Sequence, residues 1–331
     1  MTNIRENTKK STPSLDKLAQ LQYQLNVNKL QGREMLRKKA RAKYFTNALV
    51  CRLLPLDSDL HKSYLNTYYC NSVYEQKENE LTTTYCNNRW CIVCNRIRTA
   101  KMINGYLGPI KALTDPYFVT LTVPNVPDVE LSRTIDLMIT AFSKIVNSWN
   151  TNHRENKITG IRKIECTYNP NLDNFHPHFH VVLQNKDIAS SLVYKWLKAF
   201  PNAKICAQDC KQADENSIME LFKYFSKILT NKHDFYASKM DVIFRAMRRR
   251  RVYQPFGNVH IVSEDIDEYE TQAYKDLANE DKMWKWLEND WVDTETGECL
   301  SGQSCIRQAD FGPLFFLFFF QTMLTFADTA V

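Results

Sequence analysis

His176-Pro177-His178-Phe179-His180-Val181-Val182-Leu183 is the stretch from which the rest of the chain can be read. Three histidines alternate within a run that ends apolar and β-branched. A strand sends alternate side chains to one face, so His178 and His180 are expected to project together. Two neutral imidazoles placed that way suit a divalent metal ion. The chain holds only seven His and places three of them within five residues, which weighs against a strand end that is merely histidine-rich.

The flanking segments supply a sheet for that strand. Tyr117 to Val123 alternates bulky apolar residues with Thr and stops at Pro124-Asn125, as a half-buried strand does. A helix is expected over about Asp128 to Trp149, with Leu131, Ile135, Leu137, Met138, Phe142 and Ile145 along its apolar stripe. Gly160 to Tyr168 reads as a second strand, and the turn-rich Asn169 to Asn174 joins it to the histidine strand as an antiparallel hairpin. Glu165 on the first arm then stands at the height of His178 and His180. One carboxylate with two imidazoles is a divalent set suited to Mg²⁺ or Mn²⁺ near phosphate.

Downstream, an amphipathic helix is expected over 187–200, a short strand over Ala203 to Ala207, and ordinary buried or half-buried thiols at Cys206 and Cys210. A further helix opens after Asp214-Glu215-Asn216-Ser217. On it Glu220, Tyr224 and Lys227 are spaced i, i+4 and i+7 and share a face. Taken alone, that spacing is more often a surface Glu–Lys ladder beside a half-buried tyrosine. Arg248-Arg249-Arg250-Arg251 is the densest basic run, and with aromatic neighbours it favours nucleic acid. Val259 to Val262 is expected to be the last strand. From Glu264 the sign reverses into an acidic, Trp-rich segment read as helical and peripheral.

Upstream lies a cysteine pattern, C-x15-C-x4-C-x2-C, made by Cys70, Cys86, Cys91 and Cys94. A C-x2-C knuckle chelates with two thiolates, and two nearby Cys complete a tetrahedral structural zinc set. Cys51 and His61 compete with Cys70 for the fourth place, and a redox dithiol at Cys91 and Cys94 would leave two cysteines unused. Arg89, Arg96, Arg98 and Lys101 make this module basic and suit it to a phosphate backbone. Helix is expected from about Leu15, and the cluster Arg37 to Lys43 is either a solvated face or a further phosphate-contacting one.

With 331 residues, 44% hydrophobic and 24% charged, the chain has room for about two ordinary globular domains. Only eight Gly and no Gly-rich phosphate loop exclude P-loop and dinucleotide-binding designs. Net charge is a modest +6, unevenly placed. The polar first ten residues carry no apolar core, so the expectation is a cytoplasmic protein without a signal peptide. Leu314 to Ala327 is strongly apolar, but its 14 residues fall short of the ~20 a helix needs to cross a bilayer. Its run Phe315 to Phe320, all Phe except Leu317, suggests a tail outside the functional unit.

Four elements in this order, CNNRWCIVC (86–94), FVTLTVPN (118–125), HPHFHVVL (176–183) and ELFKYFSK (220–227), resemble the rolling-circle replication initiators of small bacterial plasmids, within the HUH endonucleases. The likeness covers roughly residues 65–262. It implies an α+β fold: an HUH-type antiparallel sheet flanked by helices, preceded by the four-cysteine zinc module. The corresponding segments are a basic helical region at 1–50, the zinc module at 51–105, the endonuclease domain at 106–263 and an acidic, then Phe-rich tail at 264–331.

By the same resemblance His178, His180 and Glu165 would hold Mn²⁺ or Mg²⁺. Tyr224 would be the nucleophile, Lys227 a phosphate-side helper and Glu220 the base of the terminating step; His176 matches the motif with its role open. Attack would leave a 5′-phosphotyrosyl link and a free 3′-OH. Phe222 and Phe225 flank Tyr224, so a single tyrosine needs another group to end the cycle, and Glu220 is one turn away. Implied partners are single-stranded or cruciform origin DNA, a host helicase and DNA polymerase, and a second copy of the chain, with no stable membrane partner.

Three rivals stand beside this reading. A mobilisation relaxase or transposase of the same superfamily would share the chemistry. A histidine-triad nucleotide hydrolase would use His178 as nucleophile, against which the cysteine module and the Arg run both speak. A non-catalytic, zinc-stabilised DNA-binding protein would bind DNA without ever becoming covalently attached.

Overall fold

The structure, a computed structural model, describes residues 32–222, 236–274 and 277–302. In chain order these form α1 (Arg33–Leu53), α2 (His61–Tyr68), β1 (Val73–Lys77), β2 (Glu80–Thr84), α3 (Ile92–Lys111), β3 (Pro116–Thr122), α4 (Asp128–Asn152), β4 (Gly160–Asn169) and β5 (Asn174–Gln184). There follow α5 (Lys186–Ala199), a 3₁₀ turn (Ile205–Ala207), β6 (Asp209–Gln212), α6 (Glu215–Phe222), α7 (Ala237–Met247), β7 (Tyr253–Phe256), β8 (Tyr269–Ala273), β9 (Lys282–Leu287) and β10 (Asp290–Asp293). The fold is α+β, with antiparallel sheets flanked by helices.

The larger sheet has the order β6-β3-β5-β4-β7, which makes the histidine strand β5 its centre. Alternation along β5 divides the sheet into two unlike faces. Phe175, Phe179, Val181 and Leu183 are fully buried. Phe179 meets Phe142 of α4 and Trp196 of α5 edge-on or tilted, at ring distances of 5.7 and 5.6 Å. Burying each such ring is worth about 2–3 kcal/mol, so this half of the strand secures its position. The stripe Leu131, Ile135, Met138, Phe142 and Ile145 turns one side of α4 to the sheet, and Asp128 and Glu130 sit in its first turn where the helix dipole favours them. The opposite face carries the histidines. There α6 lies over the sheet, with Phe222 stacked on Tyr253 of β7 at 5.7 Å.

The smaller sheet has the order β10-β9-β1-β2-β8 and packs Tyr74, Leu81, Trp284 and Trp291 against Leu36 and Ala40 of α1. Three of its strands come from beyond Glu264, which corrects the helical reading of that segment. Lys282-Met283-Trp284-Lys285-Trp286-Leu287 has period two, a strand signature hidden by its charge. Buried Trp284 donates to Gln76 Oε1 (2.9 Å) and Trp291 to the Asn71 carbonyl (2.8 Å), tying the segment to the cysteine module.

Other expectations shift locally. Residues 205–207 form a 3₁₀ turn, and the edge strand begins only at Asp209. Cys206 and Cys210 are exposed, because they lie on that turn and edge strand rather than in the core. The last strand of the larger sheet is Tyr253–Phe256, and Val259 to Val262 forms no strand, Val262 meeting Tyr106 of α3 instead; Pro255 is tolerated because β7 is an edge strand. The helix expected from Leu15 begins, among the described residues, at Arg33; residues before 32 and the apolar run Leu314 to Ala327 lie outside them. Among the described residues no helix is long and apolar enough to cross a membrane.

Gly160 starts β4 where the backbone of β5 passes close by. A Cβ there would be driven into the Val182 carbonyl oxygen and would lie 2.9 Å from Leu183 Cα. Gly160→Ala is therefore expected to cost about 2 kcal/mol or more in urea unfolding, since backbone has to move to admit it. An unchanged midpoint would show that the β4–β5 register is looser than described.

Candidate active site

The β4–β5 ladder pairs Glu165 with His178 and Lys163 with His180, so four polar side chains share the face away from the Phe core. All four are buried, Lys163 completely. His180 Nε2 lies 3.7 Å from Glu165 Oε2 and His178 Nε2 lies 4.0 Å from Oε1. The three ligand atoms fall within 4.8 Å of one another. Glu165, His178 and His180, adjacent only in three dimensions, thus form the cluster expected from the hairpin.

The imidazoles are oriented from behind. His178 Nδ1 is 3.1 Å from the His176 carbonyl oxygen, which can only accept; a neutral ring therefore carries its proton there and offers the Nε2 lone pair to the site. His180 Nδ1 lies 3.3 Å from Thr120 Oγ1. Its Nε2 is buried and has no hydrogen bond among the described residues. Burial, then the neighbouring His178, push the His180 imidazole down to about 4, while Glu165 and Glu220 pull it back up. It is therefore neutral near pH 7. A buried acceptor nitrogen, a second one beside it and a carboxylate make a donor set that fits a divalent cation.

Lys163 was not anticipated. Its ammonium donates to Glu165 Oε2 at 3.0 Å, holding the carboxylate in place and offsetting its burial. The signal was legible, because a residue two before Glu165 on a strand shares its face. His176 sits at the outer end of the same face, half-buried and stacked on His178 at 5.0 Å, with Nδ1 2.8 Å from Asn125 Oδ1. It stands outside the three-ligand cluster. Glu220 lies half-buried on α6, near enough for its charge to act on His180. Tyr224 and Lys227 lie outside the described residues.

Cys70, Cys86, Cys91 and Cys94 converge as the second cluster. Sγ–Sγ distances of 3.5 Å (Cys70–Cys94), 3.6 Å (Cys86–Cys94) and 3.6 Å (Cys70–Cys91) are close to the ~3.8 Å edge of a tetrahedron with metal–sulfur bonds of about 2.3 Å. The Cys86 amide donates to Cys70 Sγ and the Cys94 amide to Cys91 Sγ, as thiolate ligands require. Cys51 and His61, the alternative fourth ligands, are exposed and stand apart from the cluster. Lys43 is fully buried nearby, bonded to the Tyr68 carbonyl and Ser72 Oγ; burial pushes its ammonium down to about 8, against the pull of the four cysteines.

The basic residues divide into struts and surface. Arg98 is buried, and its guanidinium donates to Glu264 O, Asn95 Oδ1 and both oxygens of Asn87; it is an internal brace rather than a DNA contact. Arg96 donates to the Lys38 carbonyl, and Arg89 pairs with Glu264 at 2.8 Å while reaching the Arg250 carbonyl. Arg250 is clamped on Asp136 at 2.6 Å. Arg248, Arg249 and Arg251 are exposed, Arg248 with a surface ion pair to Asp59. The Arg37–Lys43 cluster is mostly half-buried and engaged within the fold: exposed Arg37 bonds the Ser301 carbonyl and Lys39 pairs with Glu270.

A family model described as "Replication protein" matches residues 78–188, a span that holds the knuckle and the histidine strand and ends before α6. A protein named "Protein rep" from Staphylococcus aureus is 27% identical over 171 residues, covering 46% of this chain and 73% of that protein. Another "Protein rep", from Streptococcus pneumoniae, is 30% identical over 112 residues, covering 31% of this chain and 33% of that one. No solved structure gives a significant match. The resemblance to plasmid rolling-circle replication initiators read from the motifs is borne out by these similarities.

For the cysteine cluster, the protein is expected to carry about one zinc per chain by atomic absorption. Cys91→Ser should lose most of it and unfold at markedly lower urea, because structural zinc contributes its binding energy directly to folding. Full stability without zinc would remove the metal reading of this cluster.

Proposed function

We propose that this relative of replication proteins starts plasmid rolling-circle replication by nicking single-stranded origin DNA through Tyr224, in an HUH-type site. The observation that carries the reading is the buried Glu165–His178–His180 cluster on the central strands, in a chain similar to Rep proteins over that same region. Glu165, His178 and His180 would hold Mn²⁺ or Mg²⁺, which when bound supplies Lewis-acid polarisation of the scissile phosphate. Lys163 holds Glu165 in place, the His176 carbonyl orients His178 with its Nε2 toward the site, and Thr120 lies against His180 Nδ1.

Tyr224 follows Glu220 by four residues in sequence, and its assignment rests on that spacing and the motif. Its phenolic oxygen would attack phosphorus and release the 3′ oxygen. The phenol's proton passes to solvent or a base, and the departing oxygen takes one up to become the 3′-OH primer. The DNA 5′ end remains on Tyr224 as a phosphotyrosyl ester. A phenol with an ordinary pKa of about 10 needs neighbouring positive charge for this, which Lys227 is assigned to supply. To end the cycle, Glu220 would take the proton of the water or hydroxyl that attacks the phosphotyrosyl ester, returning Tyr224 to its phenol form. Host helicase and polymerase would unwind and extend, and cruciform extrusion would present the strand. Working beside these host enzymes, the protein would act in the cytoplasm.

The test is a nicking reaction on single-stranded origin oligonucleotides with Mn²⁺ or Mg²⁺, read as a shifted protein band on a denaturing gel. Wild type should give a metal-dependent covalent band, Tyr224→Phe none, and His178→Ala or His180→Ala at least about a hundredfold less. Glu220→Gln should still form the first adduct but accumulate it. Undiminished adduct in Tyr224→Phe would overturn the assignment.

A further inference from the structure

Between the cysteine knuckle and the end of α7 lies a cleft of about 150 Å³. A space of that size takes a benzene-sized ring and excludes a duplex. It is lined by Trp90, Phe244 and Met247, with Arg89, Arg248 and Arg249 around them. Trp90 is half-buried, propped edge-on by Tyr64 at 5.7 Å and tilted 37° against Phe244, so its ring is rigidly held and still partly open. Glu264 beside the wall is already paired with Arg89. Arg248 holds only an exposed pair to Asp59, a kind worth little and readily exchanged. Arg249 is exposed at φ +60°, a strained backbone for a β-carbon residue, and has no ion pair among the described residues.

We propose that this cleft seats one unpaired nucleotide of single-stranded DNA, its base against Trp90 and its phosphate on Arg248 and Arg249. The inference rests on the initiator reading above and adds to it a place where the strand is gripped. An aromatic face beside two exposed guanidiniums is the combination that single-strand binding uses. Position supports it as well. Four residues after Arg249 the chain reaches Tyr253, which pairs with Lys163 next to Glu165. At most about 14 Å of extended backbone therefore separates the cleft's rim from the strands of the metal cluster. A strand held in the cleft lies within a few nucleotides of the proposed cleavage point.

The experiment measures binding of the full, zinc-loaded chain to an oligothymidylate of about 12 nucleotides and to an abasic oligomer of equal length, by fluorescence anisotropy without nicking metal. Wild type should prefer the thymidylate by about tenfold. Trp90→Leu, with zinc content and circular dichroism unchanged, should cut that preference to about twofold. Arg249→Gly, which relieves the positive φ and so folds, should weaken both probes alike and lower the salt dependence by about 0.7 in slope. An unchanged preference in Trp90→Leu, an unchanged salt slope in Arg249→Gly, or no binding by wild type would each overturn the proposal. Should Trp90→Leu lose zinc, Arg249→Gly alone decides. Covalent nicking needs metal and Tyr224 and these titrations need neither, so failure of one reading is visible apart from failure of the other.

Discussion

The pairing register of β4 against β5 is the constraint on which the rest of this molecule depends. It sets Glu165 opposite His178 and Lys163 opposite His180, and it does so only in one alignment. A slip of β4 by one residue would carry Glu165 and Lys163 to the opposite face, among the rings of Phe142, Phe179 and Trp196, and away from the histidines. Those rings are what forbid the slip. The apolar half of the hairpin, buried under α4 and α5, fixes the polar half without touching it, and Gly160 lets the two backbones meet closely at the ladder's end.

Burial of that polar half has an electrostatic cost, and the structure meets it in kind. A carboxylate buried with two imidazoles is unfavourable unless charges are matched, so Lys163 bonds Glu165 directly at 3.0 Å. Burial keeps the His180 imidazole neutral, which leaves its Nε2 lone pair for a cation. A related device surrounds the four cysteines, where fully buried Lys43 answers the negative charge that thiolates would bring. In both clusters a single lysine sits beside a ligand set that a divalent ion would complete.

How much of this was legible in the sequence follows from the range of the forces involved. The hairpin, the Glu165–His178–His180 set and the Cys70–Cys86–Cys91–Cys94 set could be read because strand alternation and knuckle spacing are local rules. The strands beyond Glu264 were misread because their acidic residues mask a period-two pattern, and because their partners, β1 and β2, lie some two hundred residues away in sequence. The arginines were the least readable. Sequence marks Arg98 and Arg249 alike as cations, whereas one is a buried brace with four acceptors and the other an exposed side chain on a strained backbone. Burial decides their roles, and burial is a tertiary property.

The division between brace and exposed cation bears on how a site of this kind could choose its DNA. In the proposed reaction a carboxylate, two imidazoles and a tyrosine would act on a phosphodiester, and a phosphodiester carries no sequence information. Selectivity has to come from groups that touch bases, and none of the metal-cluster residues is suited to that. The surface that is suited, a half-buried indole with exposed arginines, is formed where the cysteine module meets α7. Arg89 stitches the two together through Glu264 and the Arg250 carbonyl. On this view the four-cysteine module is more than a stabilising appendage. By fixing Trp90 at a set distance from β7 and hence from Glu165, it would convert recognition of a base into placement of a phosphate.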